Sequence, residues 1–385
     1  MTYYYRLGTV PPKRHTQFRQ SDGSLYHEEL MGIHGFSGIQ SLLYHLYPPT
    51  QVHKIFLEQT IALEFEDFGH LRHRHLRTHL ITRSEDAITS RIPLMANADV
   101  CISVARPTEE MSYWYRFAHG DEVIFIHEGS GVLESQYGIL PYRPGDYVVI
   151  PTGVMWRIVP DADSPQRMLI IEAQGHIEPP DRYLNRYGQF LEHSPYNERD
   201  LHPPERLIPH DEMGEFEVRI KARDRITTYV YQHHPLDVVG WDGYLYPYTF
   251  NIADFEPITG RIHQPPPVHQ TFAAPGFVIC SFVPRLFDYH PLAIPAPYNH
   301  SNVDSDEVLY YVEGNFMSRK GIERSSITVH PNGIPHGPHP GMYEGSIGKE
   351  STDELAVMID TFRPLRFTQQ VVELEDQKYS YSWSN

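Results

Sequence analysis

The stretch Tyr298–His339, YNHSNVDSDEVLYYVEGNFMSRKGIERSSITVHPNGIPHGPH, decides how this chain folds. It carries two imidazoles and one carboxylate, His300, Glu307 and His336, separated by a hydrophobic run and a Pro/Gly turn. Two neutral nitrogens and one carboxylate, with the remaining positions open, form the ligand set that suits a non-haem Fe(II) centre activating O2. The residues between them are β-like. Val308 to Val312 is apolar, β-branched and aromatic, Gly314 and Asn315 turn it, and Ser326 to His330 begins a return strand. On the wall of a small barrel alternate residues point inward, so a few positions can aim at one interior point.

With 24 histidines in the chain, some pair will always look suggestive, and the spacing carries the argument. His300, Asn302, Glu307 and Gly314 follow the order H-x-N-x4-E-x6-G, and Pro331, Gly333 and His336 follow P-x-G-x2-H. This double pattern resembles the two motifs of the cupin superfamily, with Asn302 where many members carry a second histidine. A faded copy lies upstream. Glu122 and Gly129, with His119 just ahead of them, repeat the E-x6-G spacing of the first pattern, and Pro151, Gly153 and Trp156 repeat the second with an indole in place of the last histidine. An indole cannot ligate iron, so His119 and Glu122 are expected to be structural. The repeat predicts a mainly-β bicupin, two β-barrel or jelly-roll domains with a loop-rich N-terminal arm. The expected layout is an arm over 1–60, a first, degenerate barrel over 61–175 and a connector over 176–235. A second, iron-binding barrel follows over 236–370, with a tail over 371–385.

Composition bounds the rest. A chain of 385 residues, 40% of them hydrophobic, has material for about two packed domains. The formal charge of −17 argues against nucleic acid or anionic membrane as partner. Cys101 and Cys280 are the only cysteines, which argues against a disulfide framework and fits a reducing cytoplasm. No N-terminal basic flank precedes an apolar run, and no stretch nears the roughly 18 apolar residues of a membrane span. Neither a secretion signal nor a membrane segment is expected. No G-x-G-x-x-G signature of a dinucleotide cofactor occurs.

Outside the motifs, DVCISVARP, DEVIFIHEGSGVLES, GDYVVIP, FVICSFVPR and LAVMIDTF read as strands, and EFEVRIKARDRITTYVYQ can supply one or two more. His27, His34 and His45 in the arm are expected to be structural. Dense aromatic and Pro/Gly loops ahead of the second barrel are placed to shape its mouth. There, His263 and His269 flank a run of three prolines that would hold the two imidazoles at a fixed separation. Each is either a surface histidine or a general base. The tail VVELEDQKYSYSWSN is expected at the surface or at a subunit contact, with no chemistry.

HPLDVVGWDGYLYPY, VHQTF, FVICSFVPR, PAPYNHSNVDSDEVLYYVEGNF and HPNGIPHGPH together resemble the homogentisate 1,2-dioxygenase family in its bacterial form. The similarity covers most of the chain and is most specific over about 234–363. It implies a mononuclear Fe(II) that opens the ring of homogentisate with O2 to give maleylacetoacetate, a step of tyrosine and phenylalanine catabolism. Carried over residue by residue, the metal ligands fall on His300, Glu307 and His336. The resemblance also implies that Tyr298, His330 and His336 lie against the substrate and that a loop histidine, His269 or else His263, assists proton transfer. It further implies a homo-oligomer, trimer or hexamer. Nine residues after the glutamate, animal members carry a tyrosine near the substrate where this chain has Phe316. The missing hydroxyl leaves room for another hydroquinone-type or gentisate-type acid. Two other classes share the fold: a bicupin isomerase using another metal, and a non-enzymatic binding protein, against which the intact triad argues.

Overall fold

Along the strand Asp306–Glu313 both faces are buried, which requires two different packing partners. Glu307, Leu309 and Tyr311 face a cavity, while Val308, Tyr310 and Val312 enter the main core. That alternation follows from the two-residue period of a strand. In the computed structural model, which describes residues 2–67, 69–314 and 321–384, this strand is central to a six-stranded antiparallel sheet. The order is Gln270–Ala274, Phe277–Phe282, Leu355–Thr361, Asp306–Glu313, Ile327–His330 and Arg74–Leu76.

The other unit is built from two larger sheets. One runs from Gly138–Tyr142 through Trp114–Phe117 to Lys54–Thr60, seven strands in all. The other has eight strands and holds Asp146–Ile150, Glu122–Glu128 and Arg167–Ala173 side by side. The connector residues contribute Met213–Ala222 and Arg225–His233, the two longest described strands. The chain is mainly β, and no described helix is long and apolar enough to cross a membrane.

The two units exchange strands. Arg74–Leu76, which falls within the span expected for the first barrel, pairs instead with Ile327–His330 of the six-stranded sheet. In return Arg366–Phe367 pairs with Ile92–Ala96, and Tyr248–Asn251 with Asp146–Ile150. Between them lies one aromatic core. Tyr147 stacks among Phe125, Phe250 and Phe272, and its hydroxyl meets Ser281 Oγ at 2.8 Å. Aromatic packing of this kind anchors one unit to the other.

The N-terminal arm keeps long loops but also gives Tyr5–Gly8, His27–Gly32 and Gln40–His45 to a four-stranded sheet completed by Val238–Gly243. Trp241 on that last strand is fully buried and donates its indole N–H to Tyr137 O at 2.8 Å. His45 is structural, as the sequence suggests. Its Nδ1 lies 2.7 Å from Asp237 Oδ1 and its Nε2 3.1 Å from Glu29 Oε2. Burial pushes this imidazole down, but the two carboxylates outweigh it and raise it from 6.5 to about 9.

A raised value in the folded state means stability that is full below the unfolded value and fades as pH climbs to the folded one. The His45 cluster is therefore expected to lose about 3 kcal/mol of stabilisation between pH 6.5 and 9. Denaturant melts across that window should show the fall in the wild type and its absence in His45→Gln. Parallel curves for the two proteins would reject the contribution.

Candidate metal centre

His300 and His336 are 36 positions apart in sequence and adjacent in space because their backbones pair. Each N–H donates to the other's carbonyl at 2.9 Å, an isolated antiparallel bridge that sets the rings 4.2 Å apart. The turn leading into His336 is fixed by Gly333, which has φ +80 and donates its N–H to Asn302 O at 2.7 Å. Gly314, which ends the Glu307 strand, also has positive φ, and a Cβ there would fall 2.3 Å from Asp353 O. The motif glycines thus mark backbone that side chains rarely adopt, and at Gly314 a side chain also has no room.

Glu307 reaches the pair from its strand. One Nδ1, Nε2 or carboxylate oxygen from each of His300, Glu307 and His336 lies within 4.8 Å of the others. The supporting bonds set which nitrogens face inward. His300 Nδ1 donates to Tyr298 O at 3.1 Å, which puts the lone pair on Nε2, 3.7 Å from Glu307 Oε2. His330 Nδ1 donates to Glu307 Oε1 at 2.7 Å, and its Nε2 accepts from the Tyr379 hydroxyl at 3.2 Å. His336 is buried and neither ring nitrogen has a hydrogen-bond partner among the described residues. Buried polar nitrogens are normally satisfied, so Nε2, which lies 3.4 Å from Glu307 Oε1, fits a bound cation when the proton is on Nδ1. The donor set, two imidazoles and a carboxylate, is of the type that holds Fe(II).

The electrostatics agree. Burial pushes the Glu307 carboxyl up, but its neighbours His300, His330 and His336 outweigh that and hold it well below the usual range. Directly across the sheet stands Asp360, with Oδ1 buried and unpartnered. Burial and the Glu307 charge push Asp360 up to about 8, so one of the two carboxyls holds a proton at neutral pH.

A cavity of about 430 Å³ opens in front of Glu307. Its wall includes His300, Asn302, Leu309 and Met358, and its rim includes half-exposed Tyr298. Both loop histidines line it. His269 is buried, and burial with the nearby Arg285 charge pushes it down to about 3. His263 is more open, with Nδ1 3.6 Å from Asp288 Oδ2 and its ring 4.9 Å from that of Tyr298. His330 does not line the cavity. Expected beside the substrate, it is fully buried behind the carboxylate, where its role is to orient Glu307. Phe316 lies outside the described residues.

Several residues here escape sequence reasoning. Asp360 requires knowledge of strand register, and Tyr379 comes from a tail that carries no motif. Arg285, the one Lys or Arg among the described residues lining the cavity, is paired with Glu354 at 3.0 Å. Its signal was only its place at the end of an apolar strand.

The model of the homogentisate 1,2-dioxygenase N-terminal region matches residues 86–252. A Saccharolobus solfataricus protein bearing the name "Putative dioxygenase" is 42% identical over the whole of this chain and 99% of its own length. The chain belongs to the homogentisate 1,2-dioxygenase family. The Emericella nidulans homogentisate 1,2-dioxygenase is 29% identical over 60% of the chain, and the match spans about half of that enzyme, 52%. Among solved structures, a Leptotrichia buccalis cupin 2 conserved barrel domain protein aligns over 79% of this chain and 100% of its own at 12% identity and a TM-score of 0.35. Within this family member the three ligand candidates sit in the unit that follows the matched N-terminal region.

Because His330 holds the carboxylate without lining the cavity, His330→Gln is expected to weaken metal affinity about 10- to 100-fold while leaving one site per chain. Competition with a chelator, read by metal analysis, measures this. An unchanged affinity would remove His330 from the centre.

Proposed function

We propose that this protein is an Fe(II)-dependent dioxygenase that opens the ring of homogentisate with O2 to give maleylacetoacetate. The observation that carries the proposal is the convergence of one ligand atom each from His300, Glu307 and His336 within 4.8 Å of one another, with His300 and Glu307 on the wall of a cavity and His336 buried behind them. Family membership supports the same chemistry. Bound Fe(II) supplies the Lewis acidity and redox chemistry that O2 needs before it reacts with a closed-shell ring.

The chain's own residues supply the rest. Phe282, Leu309 and Met358 offer an apolar wall to an aromatic ring, and Arg285 is placed to meet an acid side chain. A substrate hydroxyl must shed a proton as it binds. His263 suits this better than His269, because it is more open and has Asp288 to hold the charged ring. His269, pushed down to about 3, is a weak proton acceptor and serves instead as a neutral wall of the cavity. We therefore assign proton transfer to His263.

Anaerobic reconstitution with Fe(II), followed by O2 uptake, tests the function. One O2 is expected per homogentisate, with slower uptake on gentisate and none in Glu307→Ala. Uptake that prefers gentisate would reassign the substrate, and uptake retained by Glu307→Ala would refute the ligand set. For the proton transfer, His263→Gln is expected to lower kcat by about 100- to 10,000-fold with iron content unchanged. The larger loss falling on His269→Gln would reverse the assignment.

A further inference from the structure

The first barrel keeps a cavity lined by His119, next to the buried Glu122 and Trp156 of the repeated motif. It measures about 660 Å³, larger than the one beside His300 and Glu307. The sequence repeat holds in three dimensions. Glu122 stands opposite Glu172 across the sheet, just as Glu307 stands opposite Asp360. In place of histidines, the first barrel sets Arg91 between its two carboxylates. Arg91 Nη1 meets Glu122 Oε1 at 2.7 Å and Glu172 Oε1 at 3.0 Å. Lys221 Nζ meets the two oxygens of Glu172 at 2.6 and 2.7 Å. Two cations and two carboxylates leave the cluster balanced.

What the cluster does not satisfy points to a ligand. Arg91 and Tyr115 line the cavity, their side chains more than nine-tenths buried, yet Arg91 Nη2 and Tyr115 Oη have no hydrogen-bond partner among the described residues. Beside them Glu122 Oε2 and Trp156 Nε1 are also buried and unpartnered. Arg91, Tyr115 and Trp156 form one group, with the guanidinium carbon 5.5 and 5.9 Å from the two rings. Orphaned buried donors and an orphaned acceptor at one place are rare in a cavity that has nothing to hold. Part of the remaining wall is apolar, including Ile88, Val100, Phe117 and Ile226, and part is polar or charged, including Asn97, His119, Arg223 and Asp224.

We infer that the first barrel binds a small uncharged phenol or alcohol, its hydroxyl accepting from Arg91 Nη2 and donating to Tyr115 Oη. The class follows from the geometry. A hydroxyl both accepts and donates, as Arg91 Nη2 and Tyr115 Oη require, and Ile88, Val100, Phe117 and Ile226 offer an apolar part of the wall to a hydrocarbon body. A carboxylate ligand would add an uncompensated negative charge to a cluster already in balance. The site is separate from the His300 centre and independent of the reaction proposed there.

Resorcinol and benzoate are titrated into the full chain by calorimetry, and crystals of the same protein are soaked with each. Tyr115→Phe and Glu307→Ala are compared with the wild type. Tyr115→Phe removes a hydroxyl that bonds to nothing, so the fold survives it, whereas removing Arg91 would strand two carboxylates. Resorcinol is expected in density against Arg91 Nη2, with affinity unchanged in Glu307→Ala and about tenfold weaker in Tyr115→Phe. Benzoate should bind more weakly than resorcinol. Only water on Arg91 Nη2, tighter binding of benzoate, or an affinity that depends on Glu307 and not on Tyr115 would each overturn the inference.

Discussion

A carboxylate sealed inside a β-sheet must find its counter-charge within the fold, and this chain meets that constraint twice. Stranding one buried charge costs on the order of 3 to 5 kcal/mol, a large share of a domain's stability. In the first barrel Glu122 and Glu172 are answered by Arg91 and Lys221. In the second barrel Glu307 and Asp360 have histidines around them instead. Asp360, pushed up to about 8 by burial and by Glu307, gives up its charge, and the remaining negative charge rests on Glu307. The first solution is closed on itself. The second leaves nitrogen lone pairs and one carboxylate directed at a common point, which is the electrostatic description of a cation site.

Everything that aims those groups depends on the two-faced strand Asp306–Glu313. Its outer face is locked into the core shared with the first barrel, where Tyr310 packs near Phe125 and its hydroxyl meets His127 Nδ1 at 2.6 Å. A slip of one residue would exchange Glu307 for Val308 at the cavity and bury the carboxylate in that apolar core. Register is therefore held by the cost of the alternative. The first barrel carries this packing whether or not it has chemistry of its own, which gives the strand exchange between the units a physical purpose.

The parts of this arrangement that were legible in the sequence are those whose geometry is local or repeated. His300, Glu307 and His336 could be read because glycine and proline punctuation fixes the hairpin between them, and the first barrel because the same punctuation recurs. The apolar strands were legible for the same reason: their alternation is written into consecutive residues. Arg91, Asp360, Tyr379 and the Arg74–Leu76 strand were not. Each acts through a partner fixed only by tertiary register, between 31 and 255 positions away, and no local pattern encodes such a distance. His330 was misplaced for a related reason. It directly precedes the turn that carries His336, yet sequence proximity does not say whether a side chain faces the cavity or backs the residue that does.

Comparison of the two barrels shows why the motif alone does not make a metal site. Both contain E-x6-G and P-x-G at the same spacing, and both fold into strands that set a glutamate against a second carboxylate. They differ at Trp156 and His336, and at the cross-strand neighbour of the glutamate, where Ile150 stands in one and His330 in the other. A single exchange at either position would leave a buried charge or a buried nitrogen unanswered. Exchanging Trp156 for histidine would add one ligand to a glutamate that Arg91 already neutralises. The centre belongs to a set of residues that must change together, some of them outside the motif, and the spacing records only where the set can be built.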